Sequence, residues 1–238
     1  LSKMMSMAPN ENAKQWAYGT MLFAYSALGQ QQTLAGMYAD AEWTMRDAYQ
    51  RTRTYGFPET SMQGFYNRVA DYYNAVGRFG DAYKFSEMSE KIVLDQGYQP
   101  GSPMWLWTRI RLNTALIGSD RWQDALKSFD LIDQETARLG RAPRGVQNQS
   151  LLRGYVYLRN GQSDKALKVL QANMNWHVNN FGEEHYFTAV NRGMLAVALW
   201  KTGSLPQARQ EFEHAVRGMT APESLTGDYV ENAIQQKT

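Results

Sequence analysis

The stretch "WHVNNFGEEH" (176–185) gathers His177, Glu183, Glu184 and His185, four side chains able to bind a divalent metal. Zinc held on a helix needs histidines that converge on one face, as in H-E-x-x-H. Here the two histidines run from a helix end into a loop without comparable ligand spacing, so no metal site is expected. His214 stands beside Ala215 on a helix and reads as a surface or groove-edge residue. The chain has no cysteine, which excludes disulfides, zinc–thiolate sites and a cysteine nucleophile. G-x-x-x-x-G-K-[ST], G-x-G-x-x-G and G-x-S-x-G are all absent, so neither a phosphate cradle nor a nucleophile elbow is encoded. The acidic pairs Asp81/Glu87 and Glu211/Glu213 lie among Lys, Arg and Gln, as on a solvated helix face rather than in a general acid–base pair. The sequence predicts a chain that is not an enzyme and carries no cofactor.

Charge removes two partner classes. Lys and Arg number 25 against 23 Asp and Glu, a net charge of +2. That balance predicts neither nucleic acid nor membrane insertion. Seven tryptophans and fourteen tyrosines could stack bases, but Tyr73, Trp122 and Tyr157 fall on helical apolar stripes and read as packing residues. The longest apolar run, "WAYGTMLFAYSALG" (16–29), is too short to cross a bilayer and contains two glycines. No charged-then-apolar signal peptide opens the chain. A start at Leu1 rather than at methionine reads as a processed product or an excised fragment. A cytoplasmic location is expected, or a periplasmic one if Leu1 follows a removed signal peptide.

With no chemistry to position, the elements themselves carry the argument. In "GSLPQARQEFEHAV" (203–216) a turn glycine is followed by Ala208, Phe212 and Ala215. The same pattern places Ala41 after Gly36, Ala82 after Gly77, Ala125 after Asp120 and Ala166 after Gly161. The anchors 41, 82, 125, 166 and 208 are spaced by 41, 43, 41 and 42 residues. Alanine at a fixed interval is what a close crossing of two helices requires, since a larger side chain forces the axes apart. Upstream of each turn lies an apolar stripe of helical period, as with Tyr66, Val69, Ala70 and Tyr73 before Gly77. Connectors such as "QGYQPGSP" (96–103) and "LGRAPRG" (139–145) carry the Gly and Pro that stop helices. No segment alternates like a strand. The prediction is all-α, with about five antiparallel helix pairs at roughly 10–56, 57–99, 100–142, 143–182 and 183–219. Residues 220–238 read as a cap helix or the truncated start of a sixth pair.

The combination of small residue, aromatic, turn glycine, aromatic and alanine resembles the tetratricopeptide repeat, in a longer form of about 42 residues. "FGEEHYFTAVNRGMLAVALWKTGSLPQA" (181–208), with Gly182, His185 and Thr188, and "NRVADYYNAVG" (67–77) are similar to the kinesin-light-chain type. HEAT and armadillo repeats share the period but do not require the Gly–x–aromatic–x–x–Ala turn. The resemblance implies a right-handed superhelical solenoid whose first helices line a concave groove for a protein or peptide. In bacteria it further implies a scaffold or regulatory arm, sometimes ahead of a CHAT protease domain, so that the partner could be another domain of the parent protein. The alternative it implies is a ligand-sensing helical array closing on a small molecule or signalling peptide. By the same resemblance the inward positions are Asn67, Arg68, Asp71 and Asn74, then Arg111, Thr114 and Ile117, then Tyr155 and Arg159, then Val197, Trp200 and Lys201. Asparagine can bond both groups of a peptide unit, and arginine can clamp a carboxylate. Arg68, Arg111, Arg159 and Lys201 therefore predict an acidic or carboxylate-bearing partner, unless those cations pair with Asp71 and neighbouring acids.

Overall fold

A computed structural model describes residues 10–140 and 150–220. Among the described residues the regular elements are ten α-helices and one 3-10 turn. In chain order they are α1 (Glu11–Leu34), α2 (Tyr38–Thr54), the 3-10 turn (Glu59–Ser61), α3 (Gln63–Ala75), α4 (Phe79–Asp95), α5 (Pro103–Gly118), α6 (Trp122–Arg138), α7 (Ser150–Arg159), α8 (Ser163–Phe181), α9 (Tyr186–Lys201) and α10 (Leu205–Thr220). The architecture is all-α, as the periodicity predicts. The connector from residue 141 onward, and the possible cap or sixth repeat from 221, lie outside the described residues.

The chain divides into two compact units, residues 1–120 and 121–238. In the first unit α1 packs on α2 and α3 on α4, while α4 also packs on α5. The first helices α1, α3 and α5 adjoin in order and form one layer. In the second unit α7 packs on α8 and α9 on α10, with α8 against α9 and α6 against α7.

The crossings explain the repeat. Ala41, Ala82, Ala125 and Ala166 are 0% exposed and Ala208 is 3% exposed, as the close approach of paired helices demands. A second small-residue register occurs on the first helices, seven residues before each turn residue: Gly29, Ala70, Asn113, Gly154 and Ala196. A Cβ at Gly154 would stand 2.5 Å from Leu170 Cδ2, and one at Gly29 would stand 2.9 Å from Met45 Cγ. Both partners lie four residues past an anchor alanine. In these two repeats a small residue of the first helix therefore interlocks with a larger one of the second. Asn113 departs from this rule: it is buried, and both polar atoms of its side chain lack a hydrogen-bond partner among the described residues.

The turns between paired helices are left-handed at one residue. Gly36, Gly77, Gly161 and Gly203 have φ of 75°, 76°, 71° and 86°, and Asp120 takes φ 57° at the equivalent position. Aspartate is among the few side chains that tolerate this region, which accounts for the substitution within the pattern. The helices that follow the turns in the first three repeats (α2, α4 and α6) lack a side-chain N-cap. Each instead carries aspartate in its first turn (Asp40, Asp81, Asp124), where negative charge favours the helix N-terminus. Asp81 and Asp124 are themselves held by Arg78 and Arg121.

Candidate functional site

In the first unit the layer α1–α3–α5 carries most of the predicted groove residues. Asn67, Arg68 and Arg111 line a cavity of about 490 Å³ together with Phe23, Gln30, Met104 and Trp107. Phe23 and Trp107 are 63% and 60% exposed, so the cavity opens to solvent along aromatic rims. These two residues and Gly64 share one register, thirteen residues before the turn residues 36, 77 and 120. The sequence reading stopped one helical turn short of it, and the missed signal was an aromatic at the same register in repeats one and three.

The two arginines in this cavity differ. Arg111 spends its donors inside the unit. Its Nη2 donates to Asp71 Oδ2 at 2.8 Å, its Nε to the Asn67 carbonyl at 3.1 Å, and its Nη1 to the Trp107 carbonyl at 2.6 Å. Asn74 donates from Nδ2 to the Arg111 carbonyl at 3.2 Å, adding another tie between α3 and α5. Burial pushes the Asp71 carboxyl above its usual range, an effect that the Arg111 charge opposes. The expectation that Arg111 is a free clamp is thus corrected: the alternative stated for these cations, pairing with Asp71, is what the geometry holds.

Arg68 has no such counter-charge. Its Nη1 donates to Ser26 Oγ at 2.5 Å and its Nε to Gln30 Oε1 at 3.2 Å, both neutral groups of α1. Its guanidinium carbon lies 4.7 Å from the Phe23 ring centroid, a cation–π distance. Among the described residues no carboxylate lies within ion-pair distance of it. Burial and then repulsion from Arg111 lower its pKa from the ordinary arginine value, with Asp71 opposing from a distance. Beside it Asn67 is buried and its Oδ1 has no hydrogen-bond partner among the described residues. Thr114 donates to the Ile110 carbonyl of its own helix at 3.1 Å.

Four of the predicted positions in the second unit form two small groups. Tyr155 meets Trp122 edge-on at 5.3 Å, and Arg159 lies 4.5 Å from the Trp122 ring centroid. Trp200 is 56% exposed, with the Lys201 ammonium 5.2 Å from its ring centroid. The tryptophans as a class depart from the packing expectation. Trp105 is 1% exposed, but Trp16, Trp43, Trp107 and Trp200 all keep more than half of their surface in water.

The histidine stretch is placed among aromatics. His185 caps α9, its Nδ1 accepting from Phe187 N–H at 3.2 Å, and its ring stacks 4.8 Å from that of Phe181. Burial lowers the pKa of both His177 and His185. Thr188 donates to the Gly182 carbonyl at 2.8 Å, so the Gly–x–x–His…Thr segment closes as a loop onto the start of α9. Glu183 and Glu211 each accept from the buried Arg192, which also lies 3.4 Å from His214 Nδ1. Asn173 and Asn191 are both buried and bonded to each other across α8 and α9. Among the described residues, no three His, Asp or Glu side chains are grouped to hold a metal ion. No described helix is long and apolar enough to cross a membrane.

Residues 147–221 match the family model of the tetratricopeptide repeat. The structure is similar to the nearly identical TPR-like repeats of a putative kinesin light chain from Podosopora anserina, at 17% identity and TM-score 0.66, covering 84% of this chain and 95% of that one. A single-substitution form of those repeats gives 18% identity and TM-score 0.67, over 88% and 99%. BtubC (BKLC) from P. vanneervenii gives 17% identity and TM-score 0.69, over 92% and 87%. Among curated proteins none matches the sequence. The buried alanines, the left-handed turns and these likenesses make the fold that of a tetratricopeptide-like repeat protein.

Proposed function

We propose that the chain is a protein-interaction module whose first-helix trough, in residues 1–120, holds an acidic segment of a partner protein. The observation that carries this reading is Arg68. A half-buried guanidinium has lost part of its hydration, and its neutral partners Ser26 and Gln30 do not return the charge stabilisation that a carboxylate supplies. A carboxylate entering the cavity would restore it, while Phe23, Met104 and Trp107 offer apolar surface for neighbouring side chains. Tetratricopeptide repeats generally bind proteins and peptides, which agrees with a cavity whose aromatic rim stays exposed rather than closing over a small molecule. The partner would be a separate protein or a segment of another domain of the parent.

The test is titration of a panel of acidic peptides against the protein, with Asn/Gln-substituted peptides as matched controls. Arg68→Ala is expected to weaken acidic peptides by about tenfold or more, the worth of one charge-assisted hydrogen bond, and to leave the amide controls unchanged. Arg111→Ala acts indirectly, by releasing α5 from α3. Unchanged affinity in both variants removes this reading.

A further inference from the structure

A second cavity lies on the opposite face of the first unit, outside the trough. α2 and α4 form its walls and α3 its floor, enclosing about 420 Å³. Its apolar surface includes Met45, Tyr49, Phe65, Phe85 and Met88, while Glu42, Arg46 and Gln50 bring polar groups from α2 and Tyr72 and Tyr73 bring hydroxyls from α3. The rings are ordered in two stacked pairs: Tyr49 on Phe65 at 6.3 Å and 14°, and Tyr73 on Phe85 at 5.5 Å and 19°. Tyr49 and Met88 are 37% and 40% exposed, so apolar surface stays in water here.

The fold alone does not require that lining. A cleft between α8 and α10 over α9 also occurs in the second unit, where Lys168, Gln171, Asn175 and Gln207 stand beside Leu167, Ala172 and Leu199. Eight residues past the anchor, where the first repeat has Tyr49, the second and third repeats have Glu90 and Asp133, the fourth Met174 and the fifth Val216. The aromatic rings therefore distinguish this cleft from the one in the second unit, whose lining holds none.

Charge and size narrow the occupant. Glu42 accepts from Arg46 at 2.6 Å and from the Tyr72 hydroxyl at 3.3 Å, so the one carboxylate at the rim is already neutralised. Arg46, the cation of the lining, is paired with Glu42, so a ligand bearing a net charge would have to break that pair or lose hydration against the rings. The lining on α2 runs from Glu42 to Gln50, about 12 Å of helix, which suits a molecule of two or three rings and is too short to seat a partner helix of several turns. We propose that this cleft is a binding site for an uncharged, ring-bearing small molecule, packed between the two stacked pairs. The inference is independent of the peptide trough.

The probe is N-phenyl-1-naphthylamine, a neutral fluorescent two-part aromatic, compared with its sulfonated analogue, which adds one negative charge to the same skeleton. Saturable one-to-one binding of the neutral probe is expected, with the sulfonate weaker by about tenfold or more. Tyr49→Glu and Met88→Glu, both at exposed positions, are each expected to weaken the neutral probe by about tenfold while leaving helicity and acidic-peptide affinity unchanged. Trp107→Ala, in the trough, is expected to leave probe binding as it is. Equal binding of the two probes, or probe binding that ignores both glutamate variants, overturns the proposal. So does sedimentation showing that Tyr49→Glu abolishes a self-association, because the cleft would then belong to a second copy of the chain.

Discussion

Replacing Gly154 by alanine tests the crossing on which every repeat depends, because two effects of opposite sign meet there. In a helix interior alanine is favoured over glycine by about 1 kcal/mol, so an unobstructed Gly154→Ala would stabilise the protein. The crossing obstructs it. The added Cβ would lie 2.5 Å from both Cγ and Cδ2 of Leu170 and 3.0 Å from Cδ1, over 1 Å inside ordinary contact. Leu170 is 0% exposed in the core shared by α7, α8 and α9, so it cannot swing into solvent. Overpacking of this kind costs about 1–3 kcal/mol, giving a net destabilisation of roughly 0–2 kcal/mol after the propensity gain. Leu170→Ala alone should cost about 2–5 kcal/mol through the cavity it leaves. In that background the space beside residue 154 is open, and Gly154→Ala should stabilise by about 1 kcal/mol. Urea unfolding of the four proteins closes the cycle, and a coupling of about 1–3 kcal/mol is expected. A Gly154→Ala protein more stable than the parent, or a coupling near zero, would refute the idea that small residues are there to let the helices touch.

Two further outcomes follow from the same geometry. Arg111→Ala should destabilise the protein by about 2 kcal/mol in urea melts, less than a fully buried pair because the Asp71 side chain keeps 31% exposure, and Asp71→Asn in that background should recover part of the loss; full stability of Arg111→Ala would sink the claim that its donors serve the fold. Because burial lowers the pKa of His177 and His185, the unfolded chain binds more protons, so stability should be full above about pH 6.5 and fall as pH drops through the lowered values. His185→Asn keeps an N-cap acceptor that acid does not protonate, and should shrink the loss between pH 7 and 5; an unaltered pH profile would show that the cap does not titrate.

Much of the architecture was legible in the residues because it rests on local rules repeated along the chain. Alanine at 41, 82, 125, 166 and 208 specifies a close crossing wherever it recurs, and the glycines at 36, 77, 161 and 203 specify left-handed turns. Even the exception was readable, since Asp120 stands where a glycine is expected and adopts the same φ sign. That Arg68 and Arg111 share one register was readable too, as it follows from counting back along a helix of fixed pitch. Which of those side chains are available to a partner was not. Arg68 and Arg111 occupy the same register, nine residues before their turn residues, and nothing in their sequence neighbourhoods separates them. Their fates part because Asp71 comes within 2.8 Å of one guanidinium, while the other is offered only Ser26 and Gln30 across the layer. Ion pairing between residues some forty apart depends on helix spacing and rotamers, which the tertiary structure alone decides. The same holds for the aromatic cleft: Tyr73 reads as a packing residue, and only the gap between α2 and α4 leaves it lining open space with Tyr49, Phe65 and Phe85.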